Sequence, residues 1–509
     1  MERAFLVLLF RKGNTFLARL PAPTRQETPT GIRTQMFHTL AARTPADPDY
    51  PARVRELTLM QRVLDGTLYD VLPNAFHDEK TPSGDYVPLR ERRPSVRYNI
   101  CREVVERSVG MLFGEGRFPE LASPDRATAK ALARLARESF WQSRMAEAAF
   151  RGSIGSVALI LRVLRGRVFV ECLPGTYLTP EYDPEAPDVL LRLTEARKVT
   201  GRALCRLGYD IPRDDEGAMF WFRREWGLEA ETWYLPQRVG DAREGRPPVV
   251  DAARTVPHPL GFVPAVWIEN LPGGESPDGL CTFRPAIETQ IEIEYLLSQG
   301  GRALKYASDP LLMIREPAGA DNELVRSAGN ALVVSEKGDA KLLEIGGTAT
   351  SALLEMVRAL REWTLEVIHG DRSSADKLTA AQSGKALELL NAPLISLADR
   401  LRGSYGQHGL LELARMVARA SHIVPLRISG VETRDLSPEI SLRWHGWFSQ
   451  TEGDKLQQAQ AVTTLTAGRV LSRETATGAV AGVFDVEDVP AELVRIAREA
   501  AAGPGKQKD

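Results

Sequence analysis

The sequence predicts an α+β protein of several lobes, and three observations predict it. The chain has 509 residues and 43% hydrophobic content, enough to bury a large core in several domains or in one extended subunit. Long stretches near both ends, and again between residues 284 and 401, place apolar residues at three- and four-residue spacing, which lays stripes along helices. Residues 155–270 instead hold β-branched and aliphatic runs separated by Asp, Gly and Pro clusters, so this part forms a mostly β lobe.

The elements follow in order. Residues 1–35, with Pro21, Pro23, Pro29 and many Thr and Arg, have the composition of a disordered extension. The apolar run 4–10 is short and Arg11-Lys12 follows at once, so no signal peptide is expected. No later stretch reaches the roughly 18 uninterrupted apolar residues of a membrane span. Val54, Leu57, Met60, Val63 and Leu64 predict a helix within 52–72, ended by Gly66 and Pro73. A second helix runs through Ile100, Val104, Val105, Val109 and Leu112 to a stop at Gly114. Asp125 is suited to cap a third, continuous through Leu132, Leu135, Phe140 and Met145.

In the β lobe, 157–170 is broken by Arg165-Gly166-Arg167 and reads as a hairpin. Further β character lies at 190–193, 220–226 and 231–235. Pro259 and Pro264 restrict any strand in 258–270 to a short one or one at an edge. After the turn Pro272-Gly273-Gly274, residues 284–303 are helical, with Ile287, Ile291 and Tyr295 on one side. Short strands at 311–314, 332–334 and 341–345 around a small helix at 322–327 make a compact α/β insert.

The segment 351–420 is a helix, a polar loop and a second helical arm. Leu353, Met356, Val357, Leu360, Trp363 and Val367 form the first stripe; Ala386, Leu389, Leu390, Leu394, Leu397 and Leu401 form the second. Between them 370–378 has loop composition and charge, so two helices present a charged tip. Pro393 lies inside the second arm, where it lacks a donor and its ring clashes with the Leu389 carbonyl. A continuous helix kinked at Pro393 is expected; the alternative is a helix that ends at Asn391 and restarts at Pro393. Residues 410–501 are mainly helical, interrupted by β-like 423–428 and 440–444, and 503–509 form a frayed tail.

Chemistry is hard to find. A net charge of -2 with 26% charged residues leaves no basic stripe of the kind that grips nucleic acid. Cys101, Cys172, Cys205 and Cys281 are far apart and lack histidine clusters, which argues against zinc or a disulfide framework. Ser383-Gly384-Lys385-Ala386 fails as a phosphate loop, because Thr379 stands where Gly is needed and Ala386 where Ser or Thr is needed. Residues 152–156 lack the nucleophile-elbow spacing and read as a turn into a strand. His445, between Trp444 and Trp447, is expected to be a packed residue. Glu288, Glu292 and Glu294 lack His or Asp partners and are expected on a solvated helical face. No catalytic, cofactor or metal site is therefore expected.

The order of these elements resembles the tailed-bacteriophage portal proteins, most of all the SPP1-type branch. The matching phrases are 98–114, Gly261-Phe262-Val263-Pro264, 292–301, Ala381-Gln382-Ser383-Gly384-Lys385-Ala386-Leu387 with Asn391-Ala392-Pro393-Leu394, and 454–477. The resemblance implies a multi-lobed portal fold: a wing at 36–282, stem helices at 283–306 and 348–369 flanking a clip at 307–347, and a tunnel loop at 370–381. It further implies a long kinked wing helix at 382–404 and a crown with C-terminal helices at 405–502. Such subunits form a ring, commonly of twelve, at one capsid vertex, through which double-stranded DNA is packaged and ejected. The implied partners are the terminase large subunit, the major capsid and scaffolding proteins, and a head-completion or adaptor protein; the implied location is the virion, after assembly in the host cytoplasm. The alternative is another phage structural protein, a head-tail adaptor or minor head protein.

A conduit must let DNA slide, and each phosphate neutralised by Lys or Arg adds affinity, so a near-neutral chain suits that role. Ring symmetry repeats every lining side chain at one height. Arg372 and Lys377, with Ser373 and Ser374 keeping the tip small, are the expected DNA-facing residues of the tunnel loop. Glu288 and Glu292 are the expected residues of the tunnel wall.

Overall fold

The computed structural model describes residues 36–307, 311–317, 334–343, 348–370, 388, 389, 391–447, 452–484, 486 and 488–502. The expectations for 1–35, the small helix at 322–327, most of the loop and second-arm start at 371–387, and the tail 503–509 lie outside them.

The fold is α+β. Helices α1 (Met36–Arg43), α2 (Ala52–Leu64), α3 (Ile100–Phe113), α4 (Arg126–Glu138) and α5 (Trp141–Gly152) precede the β lobe. Two short helices, α6 (Gly201–Arg206) and α7 (Val239–Arg243), lie within it. Then come α8 (Ile287–Ala307) and α9 (Thr348–Val367), joined through the antiparallel pair Leu311–Pro317 and Val334–Leu343. Later helices are α10 (Ala392–Leu401), a π-helical segment Arg402–Leu410, α11 (Leu411–Ile423), α12 (Glu452–Ala467), α13 (Arg473–Ala481) and α14 (Val489–Ala502).

Strands β1 (Glu120–Ala122), β2 (Ser156–Leu164), β3 (Arg167–Pro174), β4 (Leu178–Tyr182) and β5 (Leu190–Thr200) come first. Next are β6 (Met219–Trp226), β7 (Ala230–Trp233), β8 (Gln237–Arg238), β9 (Val256–Pro257) and β10 (Ala265–Glu269). Antiparallel β10, β2 and β3 form one sheet in that order, and β4, β5, β6, β7 and β9 form the path of another, with β8 paired to β6. The hairpin turns at Arg165-Gly166, as the sequence predicts, and β10 is an edge strand, as its flanking prolines require.

β2 is the central strand and explains why its sequence is apolar without alternation. Val157, Leu159 and Leu161 enter the main core, made with α2, α3, α5 and α8, while Ala158 and Ile160 enter a second core with Trp226 and Trp267. Side chains alternate across a strand, so a strand buried on both faces must be apolar at every position. The sequence 152–156 is the turn from α5 into this strand.

Two expectations are corrected. Asp125 does cap α4, accepting from the Ala127 N–H at 3.1 Å and the Thr128 N–H at 2.9 Å. The helix does not continue to Met145, however: it stops at Ser139, and Phe140 turns left-handed at φ 53°. On one continuous helix Trp141 would stand about 180° from Leu132; the break returns Trp141 and Met145, both fully buried, to the core. Nor does Pro393 kink a continuous helix. Asn391 has φ -98° and ψ 11°, and α10 starts after it with Pro393 in its first turn. There the missing N–H costs nothing, because the first amides of a helix have no intrahelical acceptor.

From Ala392 the chain stays helical to Ile423, across the expected 404/405 boundary, with Arg402–Leu410 wound as a π-helix. The wider turn brings two polar side chains to β10 and its neighbours: the Tyr405 hydroxyl donates to Asn270 Oδ1 at 2.9 Å, and His408 Nε2 meets the Trp267 carbonyl at 2.9 Å. Glycines admit this closeness. A Cβ on Gly406 would lie 2.5 Å from Trp444 Cζ2, and one on Gly409 2.6 Å from Ile268 Cδ1, whereas Gly403 faces open space. Gly406→Val should therefore lose about 1–3 kcal/mol of stability, and Gly403→Ala should match or exceed the native protein; urea unfolding checks both.

Candidate stem and its anchor

α8 carries a polar seam on its buried side. Gln290, Glu294 and Ser298, spaced four apart, are all buried. Gln290 Oε1 accepts from the Cys101 N–H at 3.0 Å, and Ser298 Oγ accepts from the Val96 N–H at 3.0 Å. Between them the Tyr69 hydroxyl donates to the Glu294 carboxyl, and the Tyr295 hydroxyl donates to the Arg92 carbonyl at 2.8 Å. Three of these bonds reach backbone groups, the Arg92 carbonyl and the Val96 and Cys101 amides, so they fix the height of α8 against residues 92–101.

α9 lies against α8 at close range. A Cβ on Gly300 would meet Leu353 Cδ2 at 2.9 Å, so the glycine receives the leucine. Leu353, Val357, Leu360, Thr364 and Ile368 face the fold. Met356, Trp363 and Val367, seven and four residues apart, belong to the same sequence stripe yet stay 40%, 56% and 57% exposed. The apolar stripe is thus wider than the surface the fold covers. Leu304 on α8 and Leu354 on α9 are exposed as well.

The foot of α9 is pinned just before the expected tunnel loop. His369 adopts φ 56°, and the Gly370 N–H returns to the Leu365 carbonyl at 2.7 Å. A Cβ on Gly370 would lie 2.5 Å from Leu365 Cδ2 and 2.9 Å from Val104 Cγ2, which only glycine avoids. Arg361 Nε donates to the Tyr98 hydroxyl at 2.9 Å, tying the same helix to the entrance of α3. Beyond the loop, Leu394 and Ala398 of α10 pack on Met111. Val104 and Met111 are seven residues apart on α3, about 10 Å along its axis, so one helix anchors both flanks of 371–390.

The sequence-predicted site residues fall as follows. Arg372, Ser373, Ser374 and Lys377 lie outside the described residues. Glu292 is exposed on α8, on the face that also carries Gln299 and Ala303. Glu288 is half-buried and accepts from the Phe37 N–H at 3.2 Å, holding the start of α1, and this burial raises its pKa. Glu294 is corrected outright: it is buried rather than solvated. Its four-residue spacing from Gln290 and Ser298, beside Ile287 and Ile291, was the available signal. His445 is corrected too, being exposed rather than packed; its carbonyl accepts from Arg402, whose guanidinium stacks over Trp447 at 3.3 Å and Trp444 at 4.5 Å. The anchoring role of α3 had no signal beyond its apolar periodicity.

No known family profile matches the chain, and no characterised protein matches it. Among solved structures, a chain from the "Virion of native gene transfer agent (GTA) particle" aligns over 74% of this chain and 87% of its own length, at 13% identity and a TM-score of 0.34. An overlap that loose fixes neither fold nor function.

Burial raises the Glu294 carboxyl from 4.5 to about 7, against the lowering pull of the Tyr69 and Tyr98 hydrogen bonds and of Arg97. A raised carboxyl pKa means that the native state keeps a proton the unfolded chain has released. Stability from this group therefore falls as pH rises from 4.5 to about 7 and is level above it. The loss is at most about 3 kcal/mol. Urea unfolding of the native protein and Glu294→Gln across that window should show the fall in their difference, with the variant the flatter of the two.

Proposed function

We propose that the chain is a portal-type subunit: it assembles into a ring whose stem helices α8 and α9 surround a channel for double-stranded DNA at a capsid vertex. The reading places the chain in a virion as a structural protein without catalysis of its own, driven by a separate terminase ATPase and later joined by head-completion proteins. The observation that carries it is the open half of the α9 stripe. Met356, Trp363 and Val367 form an apolar row on a helix already packed on its other side, and a protein that works alone would leave such a row in water. A neighbouring subunit, repeated by rotation, covers it. The order of α8, an antiparallel strand pair, α9 and α10 is the order that the portal resemblance implies for stem helix, clip, stem helix and wing helix.

Under this reading Glu292 contributes a ring of negative charge to the tunnel wall. Glu288 serves α1 in the protomer and is the weaker wall candidate. The segment containing Arg372, Ser373, Ser374 and Lys377 leaves α9 at a fixed point, because Gly370 is held on α3.

Native mass measurement with negative-stain imaging tests assembly. The native protein should form rings with a central hole, and Met356→Glu/Trp363→Glu should keep its circular dichroism while shifting to monomers. A native protein that is monomeric at every concentration would refute the reading, and closed assemblies without a stem would favour a head-tail adaptor. Arg372→Glu with Lys377→Glu should cut packaged DNA in assembled heads several-fold; unchanged yield and packaging velocity would exclude a direct contact.

A further inference from the structure

A cavity of about 640 Å³ opens where the two sheets of the β lobe meet the end of α11. Leu161 and Val163 of β2, Trp226 of β6, Trp233 of β7, Leu260 and Val424 supply its apolar wall. This volume lies within the range of small-molecule sites, which join apolar walls to a few placed polar groups.

The charges within the wall are already matched. Arg162 pairs with Glu231 and stands 3.7 Å from Glu171, and Arg254 stands 3.5 Å from Asp251 and stacks on Tyr209 at 3.7 Å. Burial lowers the pKa of His258 below the usual histidine value, and Arg165 belongs to the exposed hairpin turn. A charged guest would gain no unpaired counter-charge inside and would lose its hydration.

Three wall residues nevertheless have unmet hydrogen bonds, and one of them is His258, neither of whose buried ring nitrogens has a partner. The Trp226 indole N–H and the Arg162 Nε–H are buried and have no acceptor, and Trp226 is fully buried. A buried donor without an acceptor is costly, and most native structures avoid it. Two such donors among the walls of one cavity point to a guest that brings the acceptor.

We propose that this cavity binds a small, uncharged, largely apolar molecule that carries a carbonyl oxygen, which accepts from Trp226 Nε1 as the wall closes on it. The site is independent of the stem and of ring assembly. Benzophenone and diphenylmethane test it, because they share size and shape and differ in the carbonyl. Saturation-transfer NMR and titration on the full chain should find benzophenone bound roughly tenfold more tightly, the worth of one hydrogen bond. Trp226→Phe should erase that preference. Should Trp226→Phe fail to fold, Val256→Trp at the exposed rim fills the cavity without touching the core, and should abolish binding of both compounds. No binding of either compound, equal binding of both to the native protein, or binding that survives Val256→Trp would each overturn the proposal.

Discussion

The structure depends on one helix being buried along its whole length by different partners. α3 buries Ile100, Cys101, Val104, Val105, Met111, Leu112 and Phe113. Full burial of such side chains is worth roughly 1.5–3 kcal/mol each, so α3 is a stiff post rather than a surface element. α8 meets its first turn through Gln290 and Cys101, α9 ends on Val104, and α10 begins against Met111. Everything proposed to face a channel is therefore positioned from this post.

Much of the fold was legible in the sequence wherever one local rule decided the outcome. Gly114 ends α3, Asp125 caps α4, Arg165-Gly166 turns the β2–β3 hairpin, and Pro259 with Pro264 keep β10 short and at an edge. What stayed hidden depended on a partner distant in sequence. Phe140 breaks a good helical pattern because Trp141 must face the core. Pro393 falls at a helix start because Asn391 turns the chain just before it. Glu294 looks like a surface residue until Tyr69 and the Tyr98 amide are brought to it. The π-helical turn at Arg402–Leu410 has three glycines in its sequence, but the reason for two of them, Gly406 and Gly409, lies in Trp444 and Ile268.

The candidate site was legible in the same uneven way. The α9 stripe was visible as one apolar face; the fold divides it, packing Leu353, Val357 and Leu360 inward and leaving Met356, Trp363 and Val367 open. That division is invisible to periodicity, which reports that a face is apolar but not what covers it. Of the two carboxylates expected on a channel wall, Glu292 keeps its exposure while Glu288 is engaged by Phe37. The near-neutral chain suits a passage through which DNA slides, since a wall of lysines would hold each phosphate. Rotational symmetry would then turn a single exposed Glu292 into a band of charge at one height.

The central claim is that the open row on α9 is a subunit interface around a channel. A cryo-electron microscopy reconstruction of the assembled particle tests it most directly. The account predicts a closed ring in which Met356, Trp363 and Val367 are buried against the adjacent subunit and Glu292 faces the central passage. A ring in which those three apolar side chains remain in solvent, or in which α8 and α9 lie on the outer rim, would contradict it.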